Sequence, residues 1–338
     1  MKCVEIVATT GIDGLRLAER PTPRIGPRQV LVRIRAASLN YRDVMILSGA
    51  YVRGVNLPRI PLSDGAGEVV EVGSEVTRVK AGDRVCGTFF QHWVTGPVFP
   101  QIQETALGGT TEGVLTEYAL LEAEGVVRFP DRLSFAEAAT LPCAALTAWH
   151  GLVEAGGLKA GDTVLLLGTG GVSIFGLQFA HAAGARAIIT SSSDDKLERA
   201  KALGASDTIN YAKTPKWAPV LREITGGRGA DLVLEVAGGA TTQQTLEAMR
   251  HGGHIAIIGA RSGPGGELDR RVVLQKGLRV TGINVGSRAM FEAMNRAIEV
   301  AGMKPVIDRS YDIADSVAAY RDFMTGKHFG KVVITLSG

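Results

Sequence analysis

The sequence predicts an α/β protein in two parts, a β-rich first third and a later doubly wound parallel sheet. Three observations carry that expectation: short alternating segments with turn residues in the first third, strand–helix alternation after residue 160, and 43 glycines in 338 residues. So many glycines suit tight turns and close backbone approaches, and strand–helix alternation puts helices on both faces of a parallel sheet. A chain of this length that is 45% apolar buries more than one core, so two domains are expected.

In chain order, VLVRIRA (30–36) and GEVVEV (67–72) alternate with the period of strands. The stretch from His92 to Gly113 has no clear period and contains Pro97, Pro100 and Gly108-Gly109, so it is expected as a loop over a site. SFAEAATLPCAALTAWHGLVEAG begins with Ser134 as a helix cap and Glu137 three residues on, while Pro142 should break the helix. This segment is expected as the passage between domains. TVLLLG (163–168), ARAIITSSS, SDTINY, DLVLEVAG (231–238) and HIAIIGA (254–260) then alternate with helical stretches.

Composition excludes several function classes. The formal charge is +3 and the basic residues are scattered, so nucleic acid is not expected as a partner. No window approaches the roughly 18 apolar residues of a membrane span, and MKCVEIVATTG lacks a signal-like run; no membrane association and a cytoplasmic location are expected. Cys3, Cys86 and Cys143 are odd in number and far apart, which suits free thiols.

GTGGVS (168–173) follows an apolar strand and opens a helical stretch. A dinucleotide pyrophosphate needs that arrangement: a turn the backbone can share closely with phosphate, unpaired amides and the positive end of a helix. Gly168, Thr169, Gly170, Gly171 and Val172 are the expected cradle of a Rossmann domain, with Ser173 where the usual pattern has its last glycine. An NAD site carries a carboxylate about 20 residues on, for the ribose hydroxyls; here Ser191, Ser192 and Ser193 stand there, with Lys196 beyond. The serines remove the charge that would repel a 2′-phosphate, and Lys196 supplies a positive one, so NADP(H) is favoured over NAD. A plainer reading stands beside it, in which Ser193 caps a helix whose first turn carries Asp194 and Asp195 while Lys196 is solvated.

LNYRD (39–43), GAGEVVEVG (65–73), KAGDRV (80–85), LPCAALTAW (141–149), GTGGVS and HFGKVV (328–333) together resemble the medium-chain dehydrogenase/reductase superfamily, particularly its zinc-free, quinone-oxidoreductase-like members. The resemblance implies a GroES-like catalytic domain over 1–125 and 289–338 and an inserted Rossmann domain over 126–288. It further implies a homodimer or homotetramer. Zinc-dependent relatives place a cysteine at the position of Asn40 or a close neighbour and a His-Glu pair at Ser63-Asp64, so only Cys143 fits a ligand position; no metal is expected. A structural zinc needs four cysteines near 85–115, where Cys86 stands alone. The HGGH pair His251 and His254 reads as a turn.

The resemblance puts the turn after LN beside the nicotinamide, making Asn40 and Tyr41 substrate-orienting donors, with Tyr51 nearby. Arg42 and Asp43 read more readily as a structural ion pair. Relatives have a tyrosine and an arginine where this chain has Met45 and Leu47, leaving an apolar pocket; His92 and Trp93 line it or serve packing. Tyr211 is expected near the 2′-phosphate, Gly259 and GINVGSR (282–288) on the nicotinamide side, and Phe329 and Lys331 closing over the cofactor. The leading expectation is an NADPH-dependent, zinc-free reductase of quinones or α,β-unsaturated carbonyls. A zinc-free alcohol dehydrogenase or aldehyde reductase is the second, and an NADP(H)-binding sensor or structural protein with little turnover the third.

Overall fold

The computed structural model describes residues 1–51, 56–239, 241–259 and 266–336. It divides into two units: Met1–Leu146 with Val285–Gly338, and Thr147–Asn284.

The first unit begins with a two-stranded sheet, β1 (Lys2–Ile6) and β2 (Leu15–Glu19), then β3 (Gln29–Ser38), α1 (Tyr41–Leu47), β4 (Asp64–Val72) and β5 (Arg84–Gly87). After β6 (Tyr118–Glu122) and β7 (Val126–Arg128), α2 (Phe135–Ala138) opens with the expected capping box. Ser134 accepts from the Glu137 amide and Glu137 from the Ser134 amide. The helix ends before Pro142, as expected, in a π-helical turn (Leu141–Ala145) leading to α3 (Leu146–Trp149) and a second such turn (His150–Glu154).

The second unit runs β8 (Thr163–Leu167), α4 (Gly171–Ala182), β9 (Arg186–Ser191), α5 (Asp194–Ala202), β10 (Asp207–Asn210), α6 (Trp217–Ile224), β11 (Ala230–Glu235), α7 (Thr242–Ala248), β12 (Met249–Ile257), α8 (Arg270–Lys276) and β13 (Arg279–Gly282). Its strands are all parallel in the order β10-β9-β8-β11-β12-β13. The first strand is thus central and the order reverses between β8 and β11, which makes the carboxyl ends of those two strands the crevice for a ligand. β8 and β11 are buried along their whole length, as strands covered on both faces must be. HGGH lies within β12 rather than in a turn before it; the register breaks between Met249 and His254, so two glycines bulge the strand.

The chain then completes the first unit with α9 (Arg288–Val300), β14 (Ile307–Asp312), α10 (Ser316–Met324) and β15 (Lys331–Thr335). Its main sheet has the order β14-β15-β3-β4-β5-β7, with β6 also on β3. The expected boundary at 125/126 moves to 146/147. The reason is β7, which pairs antiparallel with β5 and so ties residues beyond 125 to the first unit. The return at 285 lies close to the expected 289. No helix among the described residues is long and apolar enough to cross a membrane.

Candidate active site

Sheet register assembles a polar centre in the first unit. Ser38, the last residue of β3, faces Asp64 on β4 and Val333 on β15. Asn40, Asp64 and Lys331 therefore collect at one end of the sheet although they come from three distant parts of the sequence. Lys331 is buried, and its Nζ donates to the Leu39 carbonyl at 2.7 Å and to Asn40 Oδ1 at 2.6 Å, with Asp64 Oδ2 at 3.9 Å. Asp64 accepts further from Ser63 Oγ (2.7 Å) and from the Cys143 amide (3.1 Å). Burial raises its carboxyl above the ordinary value, while the ammonium, the Asn40 amide, the Ser63 hydroxyl and the Cys143 amide pull it down.

Asn40 precedes α1, and its backbone amide donates to Asp43 Oδ2 at 2.8 Å. Its side-chain Nδ2 is buried and completes no hydrogen bond. Asp43 Oδ1 and the Tyr320 hydroxyl are likewise buried without partners. Burial pushes the Asp43 carboxyl up to about 7 against the pull of Arg42, with the Asp64 charge adding to the rise. Burial also raises Tyr320, which feels the charge on Asp43.

Arg42 and Asp43 do not pair with each other, contrary to the sequence expectation. Arg42 Nη1 donates to the Leu107 carbonyl at 2.7 Å, and its guanidinium lies over the rings of Phe89 (4.4 Å) and Tyr51 (5.4 Å). Tyr51 and Tyr41 are both exposed, on the surface near Arg42 and at the start of α1. Trp93 is buried with Nε1 on the Gly96 carbonyl at 3.0 Å, which makes it a packing residue, while His92 is exposed.

This donor set does not fit a catalytic zinc. Asn40 and Ser63 are neutral side chains, the Asp64 carboxylate already faces an ammonium, and Cys143 brings a single thiol, too few ligands for the tetrahedral site. No group of three or more His, Cys, Asp or Glu converges among the described residues. Cys86, alone in its region, points its sulfur at the Ala138 carbonyl.

In the second unit the glycine turn has the shape a pyrophosphate needs. Gly168 takes a left-handed φ of +74°, and its amide donates to Thr190 Oγ1 at 3.2 Å. Gly170 has an ordinary φ of −78°, and a Cβ there would meet nothing within 4 Å. Packing does not exclude a side chain at 170, so the backbone there stands open to a close approach. Ser173 is buried and donates to the Leu167 carbonyl at 2.7 Å. The tight helix–strand contact falls one turn later at Gly176, where a Cβ would meet Leu234 at 2.7 Å and Leu166 at 2.8 Å. With Gly171 and Val172 opening the twelve-residue α4, these residues fit a dinucleotide phosphate at a helix N-terminus.

Ser191 ends β9, buried, and its carbonyl accepts from the Tyr211 amide at 3.0 Å, which brings Tyr211 beside it. Ser192 is exposed, and Ser193 caps α5 by accepting from the Lys196 amide at 3.4 Å. Asp194 is held by Lys213 and by Asn210 Nδ2, which lower its carboxyl below the usual range. The acid nearest the serines thus carries its own counter-ion. The helix-cap reading of this segment is borne out at Ser193, and of the two acids in the first turn Asp194 is tied to Lys213 and Asn210 while Asp195 is exposed.

A cavity of about 170 Å³ in this unit is lined by Glu235, Gly238, Thr242, Thr245, Gly259 and Gly266, among others. Glu235 accepts from the amides of Ala237 and Gly238 and from the hydroxyls of Thr241 and Thr245. Gly259 is required by packing, since a Cβ would lie 2.9 Å from the Val236 carbonyl; part of the turn beyond it lies outside the described residues.

Two residues expected to close over the cofactor, Phe329 and Lys331, are buried. Phe329 is 1% exposed, and the Lys331 ammonium is engaged by Leu39, Asn40 and Asp64 within the first unit. One sequence signal pointed to this: a lysine heads the otherwise apolar KVVIT, and a buried lysine must find acceptors.

Two family models match the chain, one described as the alcohol dehydrogenase GroES-like domain over residues 26–131 and one as zinc-binding dehydrogenase over 171–300. A zinc-type alcohol dehydrogenase-like protein of Schizosaccharomyces pombe is 43% identical over 334 residues, covering 97% of this chain and 96% of its own. A quinone oxidoreductase of Pseudomonas aeruginosa is 32% identical, covering 98% and 99%. A solved structure described as an NAD-dependent alcohol dehydrogenase superposes with a TM-score of 0.91 at 34% identity, covering all of both chains. With both domain models matched in order and relatives aligned from end to end, the chain belongs to the medium-chain dehydrogenase/reductase superfamily and is an oxidoreductase of that kind.

Proposed function

We propose that this oxidoreductase works without zinc and uses NADPH to reduce a quinone or an α,β-unsaturated carbonyl compound. The observation that carries the reading is Asn40 Nδ2, a buried hydrogen-bond donor without an acceptor in a centre that does not fit a metal. Such a donor stabilises negative charge on a carbonyl oxygen as hydride arrives at the conjugated carbon. Asn40 is the principal donor, and the exposed Tyr41 and Tyr51 orient the acceptor. Bound NADPH would supply the hydride, and a proton from solvent would complete the product. Gly168, Thr169, Gly170, Gly171 and Val172 would hold its pyrophosphate, while Ser191, Ser192, Lys196 and Tyr211 would receive the 2′-phosphate. The protein acts as a cytoplasmic homodimer or homotetramer on a small-molecule substrate.

The alcohol-dehydrogenase names among its relatives support a second reading, reduction of a simple carbonyl by the same donors. Titration of metal-assayed protein with NADPH and NADH, followed by turnover with quinones, enones, aldehydes and alcohols, separates them. NADPH is expected to bind at least tenfold more tightly than NADH, and Ser191→Asp to reverse that order. A stoichiometric zinc or an NADH preference in the unaltered protein overturns the proposal. Gly170→Val is expected to weaken NADPH binding about 100-fold, or roughly 3 kcal/mol, while costing only about 1 kcal/mol of stability, because Gly170 caps α4. Loss of the folded state there would make Gly170 a folding requirement instead.

A further inference from the structure

We infer that Lys331 is a positioning residue that fixes the side-chain amide of Asn40 with its NH₂ group as the donor, an inference that rests on the proposed carbonyl-reducing function. An ammonium has three donors and no acceptor, so whatever faces it at 2.6 Å must be an acceptor. That contact assigns the Asn40 oxygen to Lys331 and leaves Nδ2 as the other end of the amide. Rotation of the amide by 180° would set NH₂ against NH₃⁺ in a buried place.

The rest of Asn40 is equally committed. Its backbone amide is on Asp43 Oδ2, and the neighbouring Leu39 carbonyl is on the same ammonium. Nδ2 lies near enough to the Asp64 carboxylate to favour its ionised form, yet completes no hydrogen bond with it. Asp64 in turn holds Lys331 from the other side at 3.9 Å. The amide therefore meets its acceptor already oriented, which is what distinguishes a preorganised oxyanion donor from one that must reorient during the reaction. The ammonium also sets a positive charge behind the amide oxygen, polarising the amide and strengthening Nδ2 as a donor.

The test compares wild type, Lys331→Met, Lys331→Arg, Asn40→Ala and the double variant Lys331→Met/Asn40→Ala, using NADPH and the best acceptor from the panel. Asn40→Ala should lower kcat about 100-fold, the usual loss of one oxyanion donor. Lys331→Met should lower kcat at least fivefold with the NADPH dissociation constant unchanged, and Lys331→Arg, also a pure donor, should recover most of it. In the double variant the lysine change should add nothing, because a residue that acts through Asn40 has no effect once Asn40 is gone. Equal effects of Lys331→Met in both backgrounds would overturn the inference, as would weakened NADPH binding with kcat intact. Should Lys331→Met alone fail to fold, Lys331→Met/Asp64→Asn removes both buried charges, and the same comparison is run in that background. A wild type that binds NADPH and reduces no carbonyl acceptor overturns the proposed function first and this inference with it, an outcome seen before any variant is made.

Discussion

Each unit buries a carboxylate cluster, and the two are completed differently. In the second unit Asp231 sits at the start of β11, accepting from Arg228 at both oxygens, from Arg250, and from the Thr163 amide at 2.8 Å. These partners outweigh its burial and hold its carboxyl below the ordinary range. In the first unit Asp43 has one backbone donor and one empty oxygen, among the orphaned Nδ2 of Asn40, Nε and Nη2 of Arg42 and hydroxyl of Tyr320. There burial wins, and Asp43 rises to about 7. A fully satisfied cluster ties strands together; one with several buried polar atoms left open carries a cost that packing alone does not explain.

The contrast predicts opposite responses to pH. Asp43 binds its proton more tightly folded than unfolded, so its destabilising effect is absent below about pH 4 and grows as pH rises toward about 7. Asn at position 43 should abolish that trend, and the difference between variant and wild type across the window should reach at most about 4 kcal/mol. Urea unfolding at pH 4, 5.5 and 7 measures it, and parallel curves would refute the raised value. Asp231 runs the other way: its stabilisation is full above the ordinary carboxylate range and is lost as pH falls through its lowered value. Asp231→Ala should cost about 3 kcal/mol at pH 7, since it leaves the Thr163 amide and two guanidinium groups without their acceptor; a loss well under 1 kcal/mol would make the cluster ornamental. The smallest effect is expected at Ser173→Ala, about 1 kcal/mol of stability from the lost bond to Leu167, with NADPH affinity unchanged. A large fall in affinity would instead make that hydroxyl part of the phosphate site.

What the sequence disclosed follows the same division. The glycine turn, the serines after β9 and the alternating strands are local patterns, each written within a few dozen residues, and the parallel sheet was legible from them. The polar centre was legible only in part. Asn40 was found from its family position, but its link to Lys331 spans 291 residues, and no local period reports such a contact. Asp43 was read as half of an ion pair because adjacent opposite charges suggest one; α1 instead turns Arg42 toward Leu107 and Asp43 back to the Asn40 amide. The misplaced first boundary has a comparable cause, since β7 is three residues long and too short to show periodicity.

The distance between Asn40 and Lys331 also has a meaning in time. Synthesis at roughly 5–20 residues per second keeps Asn40 waiting about 15 to 60 s for its lysine, and the whole of the second unit emerges in that interval. β15 lies between β14 and β3 in the finished sheet, so until it arrives the first unit lacks both an inner strand and the cation for Asp64. The second unit, continuous in sequence, is made complete earlier. A nascent chain of this protein thus completes its glycine turn well before Asn40 can meet Lys331, and the last strand to be made is the one that brings the lysine.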